Sequence, residues 1–141
     1  LQKKTEEILE RTEEAQVLNM EGDTIWENET FRTCIFPYSG EKILEKKYTK
    51  WMDYDKIKGS PCVRTRKQGD YLVVNSAGDR KKLNRIFIDE KIPAGLRDQI
   101  PVVAAGSEIL WIPGGRMNEQ YKITSTTGRV LELHYQGGVL T

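Results

Sequence analysis

A chain of 141 residues, 38% hydrophobic and 30% charged, has the composition of an ordinary globular protein in one or two small domains, with room for a real core. No apolar run approaches a membrane span and the N-terminus is charged, so no membrane partner and no secretory signal are expected. The net charge of +1 names no partner, but residues 1–58 carry ten Lys/Arg against thirteen Asp/Glu and residues 59–141 carry twelve against eight, which turns the second half towards a polyanion.

The chain opens LQKKTEEILE without an initiator Met, which suggests a piece cut from a larger protein. Residues 2–16 are helical in composition, with a narrow apolar stripe at Ile8, Leu9, Thr12 and Ala15. Residues 17–58 read as β-rich. FRTCIF (31–36) alternates, PYSGEK (37–42) turns, and KKYTKWMDYDKIKG (46–59) interleaves aromatics with charges.

Gly59-Ser60-Pro61 is the clearest internal boundary. After it, CVRTR is a short strand whose Arg64 and Arg66, two apart, share one face. QGD (68–70) turns, YLVV (71–74) is a strand, and NSAGD (75–79) turns again. The spacing then predicts a helix over 80–91, N-capped by Asp79 and stopped before Pro93. Leu83, Ile86 and Phe87 share its apolar face, and Lys81, Lys82 and Arg85 lie opposite. PAGLRDQ (93–99) is a short helix or turn. Two apolar runs joined at Gly106-Ser107 form a hairpin, and RVLELHYQ (129–136) is a last strand, placed at an edge. The fold class expected is α+β: a small mixed or antiparallel sheet with the 80–91 helix packed on it, preceded by an N-terminal helix and a β-rich lead-in.

Three cationic features point to phosphate. Arg80, Lys81 and Lys82 in the first turn of a helix are unfavourable against its dipole unless an anion sits there. Arg64, Arg66 and Lys67 suit phosphate oxygens through guanidinium forks, with pairing to Asp70 or Asp79 in a structural ion network as the alternative. Arg97 and Arg116 favour structural ties. Catalytic candidates are poor. His134 has no Ser or Cys partner in sequence, and Asp53 with Asp55 lacks a third acid or His. Cys34 and Cys62 lie too far apart for a metal motif and read as free thiols in the cytoplasm. Trp26, Trp51 and Trp111 could stack on bases, with Trp111 placed by default in the core.

The stretch from Arg64 to Arg116 resembles the C-terminal domain of the bacterial tRNA(Ile)-lysidine synthetases. R-x-R-x-x-G-D at Arg64, Arg66, Gly69 and Asp70 is followed by G-x-x-K-K-L at Gly78, Lys81, Lys82 and Leu83. F-I-D-E-K-I-P (87–93), L-R-D-x-I-P (96–101) and E-I-L-W-x-P-G-x-R (108–116) continue it. The resemblance implies a tRNA-binding domain over 40–136, a tail of the family's helical middle region and a β lead-in over 1–39, and a tail at 137–141. It implies tRNA contact at Arg64, Arg66, Lys81 and Lys82, and less directly at Arg80, Arg85 and Arg97. The family's enzymes are ligases of tRNA processing that use ATP, with Mg, to join lysine to the wobble cytidine of a CAU-anticodon tRNA(Ile). That chemistry belongs to a PP-loop domain with an S-G-G-x-D-S type motif, whose nearest string here is YSGEK at 38–42. No cofactor is therefore expected on this chain. Its expected partners are the tRNA and its own catalytic domain, with a homodimer left open.

Overall fold

The computed structural model describes residues 15–43 and 46–137. Their first element is strand β1 (Gln16–Val17), followed by β2 (Gly22–Trp26), β3 (Glu29–Pro37), β4 (Thr49–Asp53), β5 (Cys62–Arg64), β6 (Tyr71–Val73) and β7 (Arg80–Lys82). The one α-helix among the described residues, α1 (Leu83–Asp89), leads to a 3-10 segment (Ala94–Gln99), β8 (Val102–Ala105), β9 (Glu108–Trp111) and β10 (Arg129–Gln136). A four-stranded sheet has the order β2-β3-β10-β4, and a six-stranded sheet the order β1-β5-β8-β9-β6-β7. The α+β expectation is therefore corrected: the described residues form a mostly β fold of two sheets with one short helix.

The six-stranded sheet is covered on both faces. Its β8 alternates: Val103 packs with Phe31, Met52, Leu131 and Leu133 of the four-stranded sheet, while Val102 and Ala104 pack with Leu83, Ile86 and Phe87 of α1. Strand β9 shifts register within the hairpin. Ala104 faces Ile109 but Val103 faces Trp111, so Leu110 is an extra residue in a bulge. The bulge breaks the alternation and lets Leu110 and Trp111 both enter the core between the sheets. Leu83, Ile86 and Phe87 are all buried, so the apolar face predicted for the helix is correct. Each such burial contributes roughly 1.5–3 kcal/mol, which a seven-residue helix needs because it cannot hold itself.

Three further expectations change. The helix proposed for 2–16 lies outside the described residues over 2–14, and its last residue, Gln16, pairs with Val63 in β1. The helix proposed for 80–91 begins at Leu83, because Arg80–Lys82 form β7 against β6. Asn75 decides this: its side chain accepts from the N–H groups of Ala77 and Asp79 (3.0 and 3.2 Å) and donates to the Asp79 carboxylate (2.9 Å). With Gly78 at φ 88° the segment folds back, and Val74 donates to the Asp79 carbonyl at 2.9 Å. Asp79 is thus spent in a hairpin turn and caps no helix; Lys82 stands at the N-cap without a side-chain bond. Finally, β10 lies between β3 and β4 rather than at an edge, since both strands, far earlier in the chain, pair with it on either side.

Candidate nucleic-acid interface

The sequence-predicted cations separate into three environments. Arg64 is buried, at 4% exposure. Its guanidinium holds both Asp70 carboxylate oxygens at 2.8 and 2.9 Å and donates to the carbonyls of Thr65 (2.9 Å) and Gly106 (2.8 Å). Burial disfavours its charge, yet the Asp70 hydrogen bonds and charge carry its pKa above the ordinary value. Asp70 also accepts the Lys67 N–H at 2.7 Å. Arg64 is a brace tying the 65–70 loop to the β8–β9 turn.

A second group lies around α1. Arg66 donates to Asp98 (2.7 Å) and Asn84 (3.0 Å). Lys81 and Arg85 both pair with Asp89, Arg85 at 3.2 Å. Asp89 is held below the usual carboxylate range, first by the hydrogen bond from Lys81 and then by the charges of Lys81, Arg85 and Arg116. Arg97 donates from Nε to the Ile92 carbonyl at 2.9 Å, the structural tie expected of it. Between these cations Ile88 and Leu96 stand 48% and 50% exposed.

The third group follows from β7 being an edge strand. Leu72 opposite Lys81 belongs to the α1 side, so alternation sends Arg80 and Lys82 to the other face of the sheet. There the Arg80 guanidinium lies 4.5 Å over the Tyr71 ring. Neither Arg80 nor Lys82 has an ion pair among the described residues. The sequence reading passed over Lys56, Lys58 and Lys122, which the fold brings to this same side. No signal could have found them, because they meet only where the two sheets adjoin.

The catalytic candidates resolve as structure. Asp53 is buried, accepts from Thr127 Oγ1 (2.9 Å) and caps the 3-10 turn Tyr54–Lys56 (3.2 Å to Asp55 N), while Asp55 pairs with Arg129 at 2.5 Å. His134 is exposed, with Nδ1 2.7 Å from Thr49 Oγ1. In the YSGEK string the Ser39 N–H is taken by the Glu41 carboxylate at 2.6 Å and Tyr38 Oη donates to the Glu41 carbonyl. Among the described residues no three His, Cys, Asp or Glu gather as a metal site, and no helix is long and apolar enough to cross a membrane. Trp26 and Trp111 are buried at 3% and 0% exposure, and Trp51 donates to Glu132 at 2.9 Å, edge-on to Phe36.

A family model described as the TilS substrate C-terminal domain matches residues 62–133, from the start of β5 into β10. The chain belongs to this family. It is 48% identical over 88 residues to a tRNA(Ile)-lysidine synthase of Caldanaerobacter subterraneus and 40% identical over 90 residues to one of Clostridium tetani. Those matches cover 62% and 64% of this chain and 19% of each relative, so the chain spans about a fifth of their length. A solved TilS C-terminal domain superposes with a TM-score of 0.73 at 27% identity, covering 88% of this chain and 96% of that one. The TilS C-terminal domain match includes Arg64, the cations around α1, and Arg80, Lys82 and Lys122, but not Lys56 or Lys58, nor β2, β3 and β4, which complete the four-stranded sheet.

Proposed function

We propose that this chain is the tRNA-gripping C-terminal part of a tRNA(Ile)-lysidine synthetase. The observation that carries it is β7: an exposed sheet edge made wholly of Arg80, Lys81 and Lys82, with two of the three cations free of carboxylate partners among the described residues. Such an edge is protected against strand pairing by its charge and offers compact positive points to a phosphate backbone. Arg80 and Lys82 are the direct contacts. Arg66, Lys81, Arg85 and Arg97 shape the surrounding positive surface, and Arg64 acts through the loop it braces. These contacts position an RNA without reading its bases. In the parent enzyme the ligation of lysine to the wobble cytidine, with ATP and Mg, belongs to the catalytic part, in the cytoplasm where tRNA is processed.

The test is a salt titration of binding between this chain and transcribed CAU-anticodon tRNA(Ile). Arg80→Ala/Lys82→Ala is expected to lower the log–log salt slope by about one to two units, at ~0.7–0.9 per lost phosphate contact. An unchanged slope would remove the β7 edge from the interface.

A second reading is favoured by Ile88 and Leu96. Two half-exposed apolar side chains set among paired charges suit packing against a protein surface, such as the catalytic domain or a second copy.

A further inference from the structure

Three adjoining clefts of about 440, 410 and 380 Å³ run along the seam between the two sheets, the second of them lined by Arg80. The first and second share Lys56 and Gln120, and the second and third share Glu119 and Lys122, so they form one groove. Lys56 and Lys58 line the first cleft, Lys56, Arg80 and Lys122 the second, and Lys122 and Arg116 the third. These residues come from the turn after β4, from β7, and from the segment between β9 and β10. The sequence features named only Arg80 and, as a structural tie, Arg116 among them.

The acids of the groove do not cancel this charge. Glu108 is engaged by Tyr121 Oη at 2.6 Å and Asn118 Nδ2 at 3.3 Å, and burial keeps the Tyr121 hydroxyl protonated so that it remains a donor. Asp53 is buried and lies 4.0 Å from Lys56. Glu119 reaches Lys122 at 3.3 Å across a pair whose lysine is 63% exposed, a contact of little strength. The contrast is with the α1 face, where Asp89 takes both Lys81 and Arg85 and Asp98 takes Arg66.

We propose that this groove is a phosphate track for RNA, with Lys56, Arg80 and Lys122 at its centre holding successive backbone phosphates. The inference rests on the tRNA-binding reading and places the main path of the RNA along the sheet seam rather than over α1. A row of cations with open space between them matches a linear polyanion, and the polar side chains that share the central cleft, Asn75, Ser76 and Thr124, supply further donors. The β7 edge then serves two faces: Arg80 reaches into the groove while Lys81 stays bound to Asp89 on the far side.

The deciding experiment compares salt titrations of the chain with transcribed tRNA(Ile) for wild type, Lys56→Ala/Lys122→Ala, Lys56→Arg/Lys122→Arg and Arg32→Ala. Arg32 lies on β3 paired with Asp23, away from the groove, and controls for net charge. The expected result is a salt slope lowered by about one to two units in the alanine pair, restored in the arginine pair, and unchanged for Arg32→Ala, with matching thermal melts throughout. If wild type binds and the alanine pair keeps its slope, the groove is overturned while the tRNA reading stands. If wild type fails to bind at low salt, the tRNA reading itself fails and the groove with it.

Discussion

Arg64 shows how much a single residue's role depends on what it meets. A guanidinium with five donors is costly to bury unless each is answered. Here Asp70 answers with both oxygens and two carbonyls take two more N–H groups, so four of the five are met. Removing one member leaves an uncompensated buried charge. Arg64→Ala is expected to destabilise the chain by about 3–5 kcal/mol, read as a fall in the urea midpoint, whereas Arg64→Met/Asp70→Leu should recover most of it. Wild-type stability in Arg64→Ala would show that the brace carries no weight. The sequence presented Arg64 and Arg66 as a matched pair on one strand. The structure ends β5 at Arg64, and the turn at Gly69 (φ 93°) returns Asp70 to Arg64 alone. Arg66, beyond the strand, reaches Asp98, thirty-two residues away, which local spacing does not reveal.

At the scale of elements, α1 ends in a way its sequence half-announces. Glu90 donates to the Ile86 carbonyl, Lys91 to Ile88 and Ile92 to Phe87. This is a Schellman ending in which Lys91 takes the left-handed position, φ 59°, that glycine normally fills. Ile92 then packs on the same apolar cluster as Phe87. A left-handed lysine costs roughly 1–2 kcal/mol, and glycine gives back part of the gain as unfolded-chain entropy. Lys91→Gly is therefore expected to raise stability by up to about 1 kcal/mol in thermal denaturation; a loss would mean that the lysine stem makes a contact outweighing the strain. The start of the helix was less legible. RKKLNRIFIDEK has helical composition throughout, and helical periodicity correctly marked Leu83, Ile86 and Phe87. It could not show that β6 needs a partner strand, a demand that Arg80–Lys82 meet at the cost of a turn of helix.

For the whole molecule, the central six-stranded sheet divides the surface into two functional sides. On one, α1 presents neutralised charges around Ile88 and Leu96; on the other, the seam presents a row of cations. Ile88→Glu/Leu96→Glu touches only exposed side chains, so the chain's own stability should change by no more than about 0.5 kcal/mol at each site and its tRNA salt slope should hold. Association with the remainder of the enzyme, measured by pull-down of the separately made catalytic part, is expected to weaken. A collapse of tRNA binding in this variant would instead move the RNA onto α1.

The sequence by itself determined the local pieces: the turns at 75–79 and 106–107, the strands of the second half, the apolar stripe of α1, and an order of motifs specific enough to mark the family. These are set by neighbours a few residues apart, where backbone preference and side-chain periodicity act. Only the tertiary structure decided the balance of sheet over helix, the central place of β10, and the surface that Arg64, Lys81 or Lys56 occupies. Those follow from hydrogen-bond partners and carboxylates supplied from far along the chain. The charge of a side chain is written in the sequence, but whether it is spent inside the fold or left for a phosphate depends on which strand the fold lays beside it.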